Sequence, residues 1–370
     1  MTTRRSKPTI YDIARLSGAS PSTVSAALSG KGPSRRIAQG TVEEIQRIAT
    51  DLGYSTNMQA RGLRQARSHL VGMIIPEHDN RYFSTLSRSF EAEARARGLC
   101  PVIVSTLRDP AEEIRTVETL ISYQVDFVLV AGASDPEAIS RLCDAARKPH
   151  VFVDLPGWGR PSVVTDNHLG AVRLTEAVLD AMPATDDPLR GRPYLVGGVP
   201  KDYATARRIE GFRASVTARL GRCDDDQIIA CGYAPGPARE AVMALCGRLG
   251  GLPAGLFVNS LTAFEGVLGH FVQLPPDAFA QTAIGCYDYD PFAAYLQFPV
   301  YMVRQNSDRL IETAFGLIES GRREATLVEI PPDLVPPRTI FRNMAQAPKG
   351  ARGEVPTGTP ATGTPATGAP

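Results

Sequence analysis

From His69 onward one pattern repeats: a short apolar run, an amphipathic stretch of ten or more residues, then another short apolar run. The apolar runs fall at 70–75 (Leu-Val-Gly-Met-Ile-Ile), 101–105, 126–131, 150–154, 193–197, 227–231, 255–258, 282–286 and 300–303. Helical periodicity fills 84–97, 112–123, 168–181, 203–220, 237–249, 261–271 and 307–320. Short strands alternating with helices pack as parallel sheets covered on both faces, because each crossover helix returns the chain to the same end of the sheet. That number of strands fills two sheets, hence two lobes. In such sheets a ligand is expected in the crevice at the carboxyl ends of the strands.

Before residue 69 the pattern is different. Thr9-x-x-Asp12 has the form of a capping box, with Ile13 and Leu16 predicted on one apolar face and Gly18 as a stop. Ser20 is a natural N-cap, and Pro21 occupies the first helical position, where a missing N–H costs nothing. Val24, Ala27 and Leu28 form the buried side of this second helix, which Gly30 and Gly32 end. Two short helices joined by a tight glycine-bearing turn outline a helix-turn-helix. Val42, Ile45, Ile48, Ala49 and Leu52 predict a third helix stopped by Gly53, so that three helices enclose one small core. A connector follows over 54–68, its second part a short helix weakened by Gly62. After Arg342 the chain turns to Pro, Thr, Ala and Gly, ending TGTPATGTPATGAP, a composition too poor in apolar side chains to offset its ordering entropy. The expected division is therefore a head over 1–56, a hinge over 57–68, a two-lobed domain over 69–342 and a disordered tail over 343–370.

The net charge of +1 hides an asymmetry. Through Arg67 there are 11 basic and 4 acidic residues, whereas the remainder carries 29 basic and 35 acidic ones. A basic head on an acidic body fits a polyanionic partner for the head, although a basic stretch is as often a solvated face. Met1 to Pro8 is polar and basic with no apolar stretch behind it, which argues against a signal peptide and for a cytoplasmic protein. The six cysteines lack C-x-x-C spacing and read as small buried residues, and the five histidines show no metal-ligand spacing. No phosphate-binding or dinucleotide-binding glycine motif follows a strand. Gly132-Ala-Ser134 starts like a nucleophile elbow but has Pro136 where the second glycine belongs. No catalytic residue, cofactor or metal is expected. An α/β enzyme and a stand-alone periplasmic sugar-binding protein remain the competing classes, and residues 9–67 argue against both.

Thr9-Ile-Tyr-Asp-Ile-Ala-Arg-Leu-Ser-Gly-Ala-Ser-Pro-Ser-Thr-Val-Ser25 closely resembles the N-terminal signature of the LacI/GalR family of transcription regulators. Leu52-Gly-Tyr54, Asn57 and Arg61-Gly-Leu63-Arg64 resemble its third-helix end and hinge, and Val71-Gly-Met-Ile-Ile-Pro76 its first sensor strand. Gly30-Lys31-Gly32 and Leu296-Gln-Phe-Pro299 resemble the fructose repressor/catabolite repressor-activator branch. The resemblance implies an all-α helix-turn-helix head on an α/β sensor with two doubly wound, periplasmic-binding-protein-like lobes. It implies a homodimer on a near-palindromic operator, controlled by a sugar or sugar-phosphate effector. DNA would be met by Thr9, Tyr11, Pro21, Ser22, Thr23, Ser25, Ala26, Lys31, Arg35, Arg36, Asn57 and Leu63. Of these, Ala26 would offer a methyl contact and Leu63 a minor-groove wedge. Ala38 stands where relatives usually carry a capping serine, so the third helix either starts near Thr41 or depends on packing.

For the effector the resemblance implies His78, Asn80, Tyr82 and Phe83 after the first sensor strand, Asp154, Trp158 stacked on a sugar ring, Arg208, Asn259 and Asp288. Carboxylates and amides suit vicinal hydroxyls, and an aromatic ring covers the apolar face of a sugar. Arg81, Arg108, Arg160 and Arg207 are secondary candidates. Gly285-Cys-Tyr-Asp-Tyr-Asp290 carries one residue more than the family pattern, leaving open whether Asp288 or Asp290 faces the ligand.

Overall fold

The computed structural model describes residues 8–54, 67–322 and 324–338. Asn57, Leu63 and nearly all of the expected hinge lie outside these residues, as does the tail over 343–370.

The head is built from α1 (Ile10–Ser17), α2 (Pro21–Leu28) and α3 (Gln39–Asp51). The Thr9 backbone N–H and hydroxyl both donate to Asp12 Oδ2, at 2.9 and 2.7 Å, so the start of α1 is fixed as predicted. Gly18 follows in the left-handed region at φ 68°. Ser20 Oγ accepts from Thr23 N at 3.1 Å and caps α2. Ile13, Val24, Ala27 and Ile45 are fully buried, with Val42, Ile48 and Ala49 completing the core.

One expectation is corrected here, and of two alternatives for the third helix one holds. Leu16 is 57% exposed. Ile10, Ile13 and Ala14 set the buried arc of α1, and Leu16 lies about 110° from the middle of that arc at helical pitch. The third helix does not wait for Thr41. It begins at Gln39 after an uncapped Ala38, so it rests on the packing of Val42, Ile45, Ile48 and Ala49. With α3 uncapped, the cap on α2 carries more weight. Ser20→Ala is expected to destabilise the head by about 0.5–2 kcal/mol, read as faster amide hydrogen exchange over residues 9–54.

Beyond the head the strands form two six-stranded sheets. The first contains β1 (Leu70–Ile75), β2 (Cys100–Ser105), β3 (Val128–Ala131), β4 (His150–Val153), β5 (Ser162–Thr165) and β11 (Leu327–Ile330), in the order 11-5-4-3-1-2. The second contains β6 (Pro193–Val196), β7 (Ile228–Ile229), β8 (Gly255–Val258), β9 (Ala283–Tyr287), β10 (Val300–Arg304) and β12 (Asp333–Val335), in the order 12-10-9-8-6-7. Pairing is parallel from β2 to β5 and from β7 to β10, and β12 runs antiparallel to β10. Each sheet therefore repeats one doubly wound order, with a topological switch between its first and third strands: β1/β3 in one, β6/β8 in the other.

The connecting helices are α4 (Arg81–Ala96), α5 (Pro110–Ser122), α6 (Pro136–Ala145), α7 (Asn167–Ala181), α8 (Tyr203–Leu220), α9 (Pro235–Leu249), α10 (Leu261–Phe271) and α11 (Ser307–Glu319). The chain divides into two compact units. One holds the chain up to Asp79 with Phe83–Val163 and Asp308–Val328, and the other holds Asn80–Tyr82, Val164–Ser307 and the chain from Glu329. The first has an apolar layer of Ile74, Val117, Val128, Val130, Ile139 and Phe152. The second is packed on both faces of its sheet, with Val258, Val267 and Ile284 in one layer and Leu174, Phe212 and Phe257 in the other. The strands β5, β11 and β12 were not anticipated from the sequence. Ser-Val-Val-Thr is short and polar at both ends, and β11 and β12 are largely uncovered edge strands without an apolar run. No helix among the described residues is long and apolar enough to cross a membrane.

Candidate functional site

In the head, the charges sort themselves. Arg15 pairs with Asp12 at 3.2 Å, and Arg47 pairs with Glu44 at 2.8 Å and Asp51 at 3.4 Å. These pairs use three of the head's acids. Lys31, Arg35 and Arg36, all exposed on the turn after α2, have no acidic partner among the described residues. The start of α2 is also open to solvent. Pro21 and Ser22 are exposed, Thr23 and Ser25 are half-buried, and the Ser22 and Thr23 hydroxyls share hydrogen bonds with Ser20 Oγ at 2.8 and 2.9 Å. A helix N-terminus carries about half a positive charge and free N–H donors. The helix start and the three unpaired cations are each suited to a phosphate backbone. Thr9 is exposed and Tyr11 is 71% exposed. Ala26 is only 7% exposed although it stands outside the head's core, with Lys31 N and Ser29 Oγ folded back on its carbonyl, so little of its methyl is open.

In the second unit, Arg208, Asn259 and Asp288 come together at the carboxyl ends of β8 and β9, beside the β6/β8 switch. Arg208, on α8, is 5% exposed. Its Nε donates to Asn167 Oδ1 at 2.8 Å, its Nη1 donates to the Asn259 carbonyl at 2.6 Å, and its guanidinium lies 3.6 Å from the Tyr287 ring centroid. Asn259 Nδ2 donates to Thr205 Oγ1 at 3.3 Å, and that hydroxyl bonds Tyr233 Oη at 2.9 Å. Asn259 Oδ1 is buried and accepts nothing among the described residues. Buried acceptors without a donor are rare, and such an atom in a strand-end cluster points to a ligand. Gly198 (φ 81°) lets the Asn259 and Thr205 side chains approach, since a Cβ there would stand 2.5 Å from Asn259 Nδ2.

Asp288 follows β9 at φ 76°, and Gln305 Nε2 donates to its Oδ1 at 2.6 Å. Burial pushes its carboxyl above the usual carboxylate range, and Arg208, Gln305 and the Leu261 N–H only partly oppose this. Asp290 is engaged elsewhere: it caps the following turn through Phe292 N at 2.8 Å and pairs with Arg81 at 2.6 Å. A folded state that favours the protonated form of Asp288 gains stability from it at low pH. That gain is lost as pH rises from the ordinary carboxylate value through the raised one. Asp288→Asn mimics the neutral form, and asparagine tolerates the left-handed backbone. The substitution is expected to raise the melting temperature at pH 7, by about 2–4 °C per kcal/mol relieved, while weakening effector binding.

In the first unit, Asp154 follows β4 at φ 74°, the counterpart of Asp288 in the second sheet. Its N–H is held by the Val163 carbonyl at 3.1 Å. Its carboxylate lies beside Gly132, at the end of β3. Left-handed backbone at a non-glycine residue costs about 1–3 kcal/mol, and both strand-end aspartates carry this strain. His78 offers its carbonyl to the Ser84 hydroxyl. Four other predicted effector residues sit in local surroundings of their own. Asn80 Oδ1 accepts from Tyr82 N at 3.0 Å, a local cap at the start of α4. Tyr82 and Phe83 are 8% and 4% exposed and pack inward. Trp158 is 76% exposed rather than laid over a ring site, because a turn closed by Arg160 N to Gly157 O at 2.8 Å places it at the tip. The secondary arginines are accounted for as ion pairs: Arg81 with Asp290, Arg108 with Glu77, Arg160 with Asp144, Arg207 with Glu210. Asn167, Thr205, Tyr233, Tyr287 and Gln305 were missed. Gln305 directly follows β10, so the expectation of a ligand at the carboxyl ends of the strands could have found it. No group of residues able to hold a metal occurs among the described residues.

Residues 9–57 match the family described as "Bacterial regulatory proteins, lacI family". The chain is 50% identical over 173 residues to the Ribitol operon repressor of Klebsiella aerogenes, covering 47% of this chain and 64% of that protein, just under two thirds of its length. It is 32% identical over 266 residues to the Sucrose operon repressor of Klebsiella pneumoniae (72% of this chain, 78% of that protein). It is 26% identical over 329 residues to the Catabolite repressor/activator of Escherichia coli strain K12 (84% and 92%). The lac repressor dimer bound to operator and the anti-inducer ONPF shares the fold, with a TM-score of 0.73 at 18% identity over 90% of this chain and 99% of that one. The fold and the helix-turn-helix face define a DNA-binding transcriptional regulator. The chain belongs to the LacI family.

Proposed function

We propose that this regulator is a cytoplasmic homodimeric repressor that acts by binding alone, and that a small sugar or sugar alcohol sets its operator affinity. Its two heads would read the half-sites of a near-palindromic operator. The domain boundaries we infer are 1–56, 57–68, 69–342 and 343–370. The observation that carries the effector reading is the buried, donorless Asn259 Oδ1 beside Arg208 and Asp288. Together they offer an acceptor, a cation and a carboxylate within one cluster, the set that vicinal hydroxyls require. A neutral polyol fits better than its phosphate. The guanidinium of Arg208 is already committed to Asn167, Asn259 and Tyr287, and a dianion would face Asp288. The names of the ribitol and sucrose repressors point to the same class.

The test is selection of genomic fragments with the purified chain, then fluorescence anisotropy on the selected site with ribitol, other pentitols, sucrose and fructose, each with its phosphate. Palindromic, salt-dependent binding altered by one neutral compound is the expected result. Each phosphate contact should add about −0.9 to the slope of log K against log salt. A response to phosphates alone would overturn the neutral-effector reading, and binding indifferent to sequence would overturn the repressor.

A further inference from the structure

The first sheet carries a second polar cleft, at the opposite end of its strands from Asp154. It has a volume of about 150 Å³ and is lined by Asp144, Arg147, Lys148, His150, Arg160 and Arg322, among others. Lys148 and His150 lie at the amino end of β4, Arg160 precedes β5, and Arg322 follows α11. His150 and Asp154 are four residues apart on one strand, about 13 Å at strand rise, so this cleft is separate from the strand-end aspartate. Arg160 is taken by Asp144. Lys148 Nζ reaches only the neutral Gln124 Oε1, at 3.4 Å, while Arg147 and Arg322 are exposed with no acidic partner among the described residues. The His150 ring, 8% exposed, is fixed by Ser140 Oγ at 3.1 Å and the Lys148 carbonyl at 3.3 Å. Arg147 is held at φ 54°, a left-handed conformation that costs free energy in a non-glycine residue.

Cations after helix ends are common, because a helix C-terminus carries about −0.5 charge. Two such ends, of α6 and α11, and Asp144 together bring about −2 against four cationic side chains. About two positive charges are left over around a cavity with room for a small group. We propose that this cleft is a second ligand site, binding the dianionic phosphate of a small phosphorylated metabolite, independent of the polyol site in the other unit. A phosphate monoester carries about −1.5 to −2 at neutral pH and offers three acceptor oxygens, matching the surplus in charge and the donors in kind.

The test is calorimetric titration of the full chain with sodium phosphate and with glycerol 1-phosphate, at an ionic strength held constant with sodium chloride and with glycerol as the neutral control. One saturable site per chain is expected for both phosphates and none for glycerol. Arg322→Gln and Arg147→Asn, the latter compatible with the backbone at that position, should each weaken binding about tenfold or more, with no loss of melting temperature. Arg208→Met should leave it unaltered. Binding that survives both cleft substitutions overturns the proposal, and binding lost only in Arg208→Met assigns the phosphate to the effector cluster instead. Operator titrations of the cleft variants in phosphate-free buffer should match wild type. A salt slope reduced by about one would assign the cleft to the DNA backbone and likewise overturn the metabolite site.

Discussion

Ile45→Ala is expected to abolish operator binding by the full chain while leaving effector binding intact. Ile45 is fully buried among the residues that make up the head's core. That core is small, mixes alanines with β-branched residues, and joins helices of 8, 8 and 13 residues. Domains of this size bury a small share of their surface and reach about 3–5 kcal/mol at most without a disulfide or metal. The head contains no cysteine, and α3 has no side-chain cap to fall back on. Truncating a buried isoleucine to alanine costs about 2–5 kcal/mol, which is the whole margin. The expected loss in operator affinity is at least a hundredfold by fluorescence anisotropy. Hydrogen-exchange protection should be lost over residues 9–54 and retained over residues 70–319. Wild-type operator affinity in Ile45→Ala would show that the head draws its stability from outside its own core.

What the sequence disclosed follows from the range of each physical signal. The bounds of α8 and α10 were read exactly, because amphipathic periodicity, an acidic or hydroxyl residue at the start and a following glycine or turn all agree there. The polar-ended β5 and the edge strands β11 and β12 were not, because their pairing is decided by neighbours distant in sequence. The same division runs through the site. Asp154, Asn259 and Asp288 were reached through the family resemblance, and each directly follows a strand, the place where a doubly wound sheet meets its ligand. The fate of Trp158, exposed at a turn tip, and of Tyr82 and Phe83, packed inward, depends on side-chain directions that spacing does not encode. The choice between Asp288 and Asp290 also needed tertiary contacts: one meets Gln305 and Arg208, the other Arg81. In the head, net charge showed a surplus but not its location. Among the described residues of 8–54, the pairing of Arg15 and Arg47 with nearby acids leaves Lys31, Arg35 and Arg36 as the cations without an acidic partner.

Arg208→Met should produce a regulator that still binds its operator and no longer responds to effector. Methionine keeps much of the side chain's length and loses everything that makes it useful here: two charge-assisted hydrogen bonds, to Asn167 and Asn259, and the stacked contact with Tyr287. Hydrogen bonds to a charged group are worth about 1.5–3 kcal/mol each, and a desolvated cation–π contact about 2 kcal/mol. Those contacts hold Asn167, Asn259 and Tyr287 in place around the cluster, so their loss is expected to weaken effector binding by about tenfold or more in calorimetry. None of these groups belongs to the helix-turn-helix head, so operator affinity without effector should be unchanged. The accompanying stability cost should depend on pH in a defined direction. Arg208 is the main group opposing the burial penalty on the Asp288 carboxylate. Without it the carboxyl is pushed further above its usual range, so the charged form becomes costlier in the folded state while the protonated form is unaffected. The destabilisation read by urea unfolding should thus be larger at pH 8 than at pH 5. The double variant Arg208→Met/Asp288→Asn should recover the pH-dependent part without restoring effector binding. A cost equal at both pH values would show that Asp288 does not feel Arg208, and a retained effector response would place the effector away from this cluster. Arg208→Lys should fail as well, since an ammonium has no planar fork with which to serve Asn167, Asn259 and the Tyr287 face at once.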